Sequence, residues 1–159
     1  MNKVVLFGAS SSGKSAVLKS FPGSVKVCDM DLYINTKKKY SPSESEILIN
    51  NLLIKDFSVY CCSVNKSLIF ALHERVKNEN SITEILLHVR SKTIWKSRLM
   101  AQPTLGKKRK AGEVKRILSS DIGLYLDSFN LNTIYTDYIN IDQIVNILTV
   151  SFLNKKRSK

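Results

Sequence analysis

No run of apolar residues in this chain approaches the ~20 that a membrane-spanning helix requires. Acidic residues are few, 13 against 25 Lys plus Arg. Cysteine is scarce: Cys28, Cys61 and Cys62 are an odd number, two of them adjacent. That pattern suits reduced, buried thiols in a cytosolic protein better than a disulfide framework. No Cys/His spacing suggests a zinc site. Met1–Phe7 lacks the basic start, long apolar stretch and small-residue cleavage site of a secretory signal, so the expected compartment is the cytoplasm. Hydrophobic residues at 43% and charged residues at 24% exclude disordered, collagenous and low-complexity classes. The 159 residues suffice for one domain with a real core, expected over residues 1–154, followed by a basic tail at 155–159.

The charge is localised. Ten of the basic residues and one acid, Glu113, fall between Arg90 and Arg116, and four more cations fall in the tail. The rest of the chain is nearly neutral within a net charge of +12. A field of this kind attracts polyanions such as nucleotides, nucleic acid or anionic lipid.

Short apolar runs alternate with helical periodicities. Val4–Phe7, Val25–Cys28, Phe57–Cys62, Ile82–Val89 and Thr133–Ile139 read as five strands. Lys14–Ser20, Ser43–Ile54, Asn65–Lys77, Ser91–Ala101, Glu113–Asp127 and Asp142–Leu153 read as helices, the fifth carrying a continuous apolar stripe. The alternation predicts an α/β fold: a five-stranded parallel sheet covered on both faces.

The sharpest signal is Gly8-Ala9-Ser10-Ser11-Ser12-Gly13-Lys14-Ser15, which matches G-x-x-x-x-G-K-[ST] between a strand and a helix. Glycines let the backbone turn its N–H groups inward onto phosphate oxygens, and the helix N-terminus adds partial positive charge. Lys14 reaches β- and γ-phosphates, and the Ser15 hydroxyl ligates Mg²⁺. Gly8, Ser10, Ser11, Ser12, Gly13, Lys14, Ser15 and Ala16 are therefore the candidate phosphate contacts, with ATP and Mg²⁺ as the expected cofactors.

With this loop the chain resembles the P-loop nucleoside and nucleotide kinases. VVLFGASSSGKSAVLKSFPG (Val4–Gly23) and GEVKRILSSDIGLYLDSF (Gly112–Phe129) are similar to guanylate-kinase-like members, small phage-encoded ones included. The resemblance implies a three-layer fold with the loop strand central and a basic flap over about 90–116. It also implies a metal-supporting acid, but the third strand ends Tyr60-Cys61-Cys62-Ser63 with none. The acids follow the second strand instead. Asp29-Met30-Asp31 looks like the Asp-x-Asp of shikimate-kinase-like enzymes, implying Asp29 as metal support and Asp31 as acceptor-orienting group. The competing reading is a turn or helix cap.

By position in the flap, Arg98, Arg109 and Arg116 are the arginines expected to contact phosphate, Arg98 and Arg116 during transfer and Arg109 on the donor. Asp31, Tyr33, Tyr40 and Glu44 are the acceptor-side candidates. No arginine lies between Asp29 and Glu74, so guanine specificity is not implied. His73 is expected at the surface and His88 as a structural residue. The expected activity is transfer of the γ-phosphate of ATP to a nucleoside monophosphate. The alternatives are a kinase for another small hydroxyl acceptor or a nucleic-acid 5′ end, which the basic segment would bind, and a non-catalytic nucleotide-dependent regulator.

Overall fold

The computed structural model describes residues 2–101, 103–104, 107–120 and 122–154. The basic tail at 155–159 and flap positions 102, 105 and 106 lie outside the described residues. Five strands form one all-parallel sheet: β1 (Lys3–Phe7), β2 (Val27–Asp29), β3 (Val59–Cys61), β4 (Ile82–His88) and β7 (Asn132–Tyr135). Their order is β2-β3-β1-β4-β7, which puts the loop-bearing strand in the centre. A short antiparallel pair, β5 (Pro103–Thr104) with β6 (Lys107–Lys108), lies in the flap.

β1 shows why the sheet needs two covers. Val5 and Phe7 point to one face and Val4 and Leu6 to the other, and all four are buried. The first face packs under α2 (Pro42–Leu53), α3 (Lys66–Val76) and α6 (Ile122–Asp127), through Ile49, Leu52, Ile69, Leu72, Ile122 and Leu126. The second packs under α1 (Lys14–Ser20) and α7 (Ile141–Leu148), through Val17, Leu18, Ile144 and Leu148. Each such side chain contributes about 1.5–3 kcal/mol by leaving water. Cys28, Cys61 and Cys62 are buried and unpaired, as expected. Burial pushes the Cys28 thiol up to about 11 and that of Cys61 to about 12, so neither supplies a thiolate.

The structure departs from the expected elements in three places. The stripe over Glu113–Asp127 is two helices, α5 (Ala111–Leu118) and α6. Ser119 ends α5 by donating its hydroxyl back to the Lys115 carbonyl at 2.6 Å, a local bond that competes with helix continuation. The fifth strand stops at Tyr135; the Thr136 amide still reaches the His88 carbonyl of β4, and beyond it Asp137 binds the amides of Arg90 and Ser91. The last helix gives way after Leu148 to a π-helical turn, Thr149–Leu153. No helix among the described residues is long and apolar enough to cross a membrane.

Candidate phosphate-transfer site

At the end of β1 the chain turns at Gly8, where a Cβ would stand 2.6 Å from the Leu87 carbonyl of β4, so only glycine fits. Two further residues bend the loop through left-handed conformations, Ser11 at φ 61° and Gly13 at φ 105°. Gly13 precedes α1, which has no side-chain cap and no acid in its first turn. The contrast with α2, α3 and α7 is informative: Ser41, Asn65 and Asn140 cap them. The first amides of α1 are thus left to an external acceptor, an anion by preference. They border a concavity of about 50 Å³ lined by Ser11, Gly13, Lys14, Ser15 and Ala16. The Lys14 side chain folds over the loop and donates to the carbonyls of Gly8 at 2.5 Å and Ala9 at 3.0 Å.

Residues far away in sequence hold this loop from outside. The Trp95 indole, on α4 (Lys92–Ala101), donates Nε1–H to the Ser10 carbonyl at 2.7 Å. The Thr136 hydroxyl lies 3.1 Å from the Ser12 carbonyl. Arg98 donates to Thr136 Oγ1 at 2.9 Å and also to the Thr136 carbonyl. Asp137 accepts from the amides of Arg90 and Ser91, at 2.9 and 2.7 Å, and so fixes the start of α4. Burial opposes its ionisation, but those amide bonds hold its carboxyl below the ordinary value. Arg98 therefore braces the flap against the end of the fifth sheet strand.

Arg109 is different. Its Nη2 donates to Ser10 Oγ at 3.3 Å, and its carboxylate partner, Glu113, is 3.7 Å away. The side chain is only 13% exposed, and its Nε is buried with no acceptor among the described residues. A guanidinium so placed is under-neutralised, and an anion at the loop would complete it. Arg116 is exposed on α5 and lines a cavity beside Ser10.

Asp29 is half-buried at the end of β2. Its carboxylate accepts the Asp31 amide at 3.2 Å and caps the 3₁₀ turn Met30–Leu32. Burial raises its pKa; the Asp31 amide opposes that, the Asp31 charge adds to it, and Lys14 and Lys19 act against it. The capping role and nearness to the loop lysine hold together. Ser15 and Asp29 are oxygen donors of the kind magnesium takes when phosphates and water complete its shell. Asp31 is exposed on the turn.

The other acceptor-side candidates are engaged locally. The Tyr33 ring carries the Lys55 ammonium 4.3 Å from its centroid. The Tyr40 hydroxyl accepts the Asn35 amide at 2.8 Å. Glu44 pairs with Lys38 at 2.7 Å and accepts the Ser41 amide at 2.9 Å in a capping box. The Lys38 hydrogen bond and then the Ser41 amide lower its pKa to about 2.

His73 corrects an expectation. It is not on the surface: its side chain is 15% exposed, lies 2.7 Å from Glu84 and stacks on Phe129. His88 packs edge-on against Tyr135, a structural setting. Sequence reading missed Thr136 and the bond from Trp95 to the loop, and no local pattern marks either.

No protein-family model and no curated protein matches this chain. Solved structures do. The YorR protein of Bacillus subtilis, in complex with phosphorylated GDP, is similar with TM-score 0.65 and 14% identity over 94% of this chain and 95% of that one. Shikimate kinase of Acinetobacter baumannii, in complex with shikimate, gives 0.60 and 14% over 98% and 96%. Deoxyadenosine kinase of M. mycoides, with bound dATP, gives 0.55 and 12% over 96% and 100%. At this identity the likeness is one of fold: five parallel strands with helices on both faces, as in these kinases.

Proposed function

We propose that the chain is an ATP- and magnesium-dependent kinase that phosphorylates a nucleoside monophosphate. One observation carries this reading: a single loop ends in the uncapped start of α1 and also receives, at Ser10, the nearly buried guanidinium of Arg109. Amides and guanidinium together suit a chain of phosphates. Nucleotides also accompany two of the structurally similar proteins, phosphorylated GDP in one and dATP in the other. The guanylate-kinase-like affinity rests on Val4–Gly23 and Gly112–Phe129.

The loop amides and Lys14 hold the β- and γ-phosphates, and Arg109 neutralises charge on the donor. Trp95 and Thr136 keep the loop carbonyls turned outward so that its amides face the ligand. Ser15 and Asp29 would hold magnesium, which supplies charge neutralisation on the donor phosphates when bound. Catalysis is alignment and charge compensation, with no covalent intermediate on the protein. The test is mononucleotide-dependent release of ADP, lost in Lys14→Ala while circular dichroism stays unchanged. ADP release that is indifferent to Lys14 would refute the assignment.

A second reading, a nucleic-acid 5′ end as acceptor, draws on the exposed cations Lys92, Lys96, Lys108, Lys110 and Lys115. It predicts binding that weakens steeply with salt.

A further inference from the structure

Beside the phosphate loop, and distinct from its cradle, lies a cavity of about 250 Å³ that Ser10 lines on one side. Two cations from separate elements line it, Lys66 from the first turn of α3 and Arg116 from α5. Among its described lining residues there is no carboxylate and no histidine. Lys66 lines a second, larger cleft as well, about 590 Å³, between α2, α3 and α6. That cleft carries Phe70, 52% exposed, and Tyr125, whose ring centroid is 5.4 Å from the Lys66 ammonium. The two spaces thus share one cationic wall residue. One holds the loop and cations, and the other holds aromatic surface together with Glu46, Glu74 and Arg75, away from Ser10.

We infer that these two neighbouring cavities are the acceptor site: the phosphate of a mononucleotide lies between Lys66 and Arg116, and its base lies against Phe70 and Tyr125. The inference rests on the kinase reading above and says which residues choose the acceptor. The walls decide the acceptor's chemistry. A hydroxyl loses a proton as it attacks, and an enzyme that uses one places a base within hydrogen-bond reach. The cavity beside Ser10 offers cations, serines and aliphatic groups instead. A phosphate oxygen is already ionised and needs only its charge compensated as it approaches the donor. In the transfer, an acceptor phosphate oxygen bonds to the γ-phosphorus. The bond from that phosphorus to the β–γ bridging oxygen breaks, and its electron pair stays on ADP. No proton moves.

The order of the cavities also fits. The reacting phosphate must lie next to the loop, and the non-reacting base must lie beyond it, past Lys66. Tyr33, Tyr40 and Glu44 line neither space, and the polar groups of Tyr40 and Glu44 are engaged within their own segment. Arg116 then serves the acceptor while Arg109 serves the donor.

The test is calorimetric titration of AMP, GMP, CMP and UMP, one at a time, into the full chain saturated with a non-hydrolysable ATP analogue. Lys66→Ala, Arg116→Ala and Phe70→Ala are titrated alongside, with circular dichroism to verify folding; all three replace exposed side chains. At least one monophosphate binds the parent chain, and each substitution weakens it by about 10-fold or more, equivalent to about 1.4 kcal/mol. Ribose 5-phosphate, which lacks the ring, loses affinity in Lys66→Ala but stays within about twofold in Phe70→Ala. Binding with this dependence but without phosphoryl transfer would overturn the kinase reading and leave the site standing. Absence of monophosphate binding, or affinities indifferent to all three substitutions, would overturn the site.

Discussion

Replacing Trp95 with phenylalanine removes one donor from the phosphate loop and little else. The ring still fills its place behind Ala9 and Ser12, which line the same small cavity. What disappears is the 2.7 Å bond from Nε1 to the Ser10 carbonyl. A hydrogen bond of this kind contributes about 0.5–1.5 kcal/mol net, and a deeply buried orphaned carbonyl would cost about 1–3 kcal/mol. Ser10 is partly exposed, so water can reach its carbonyl and the lower range applies. If that energy holds the loop in its binding shape, its loss reappears as a weaker affinity for ATP, by about 2- to 10-fold. Calorimetric titration of ATP into Trp95→Phe, beside thermal melting, measures both quantities. A lower melting temperature with unchanged ATP affinity would show that the bond supports the fold alone and that Trp95 does not position the loop.

Three further predictions follow from other contacts. Arg109→Met removes a poorly neutralised, mostly buried cation, so it raises the melting temperature of the nucleotide-free chain while lowering phosphate transfer by about 10-fold or more, read by melting and by turnover. Asp29→Asn keeps an acceptor for the Asp31 amide but removes the charge; activity then requires more magnesium, whereas ATP binding in EDTA is unaltered, which a magnesium titration checks. Glu44 has its pKa lowered to about 2 from an ordinary 4.5, so its contribution to stability is present above the ordinary value and lost as pH falls through the lower one. Glu44→Gln retains the capping box but not the ion pair; its melting temperature therefore lies below the parent's near neutral pH, and the gap closes on acidification.

What the sequence made legible was short-range. The phosphate loop, the strand before it and the helix after it follow from adjacent residues, and the parallel sheet follows from alternating runs. The loop's supports were illegible for the converse reason: Trp95 meets Ser10 across 85 positions and Thr136 meets Ser12 across 124. Arg98 and Arg109 look alike in a basic segment, yet Thr136 occupies one and the loop itself receives the other. Periodicity misled at Ser119, where the apolar stripe continues while the backbone breaks. His73 was misplaced because its burial depends on Glu84, in a strand whose alignment with α3 no local pattern specifies. The two cavities proposed for the acceptor are assembled from α2, α3, α5 and α6, and only their joint packing brings Lys66 and Arg116 to one wall.

The most direct measurement is to incubate the chain with γ-labelled ATP, magnesium and each nucleoside monophosphate, with a 5′-hydroxyl oligonucleotide in a parallel reaction, and to resolve the labelled products. The account predicts label in a nucleoside diphosphate, and none when Lys14→Ala replaces the parent chain. Label on the oligonucleotide with none on any mononucleotide, or ATP binding with no labelled product, would contradict it.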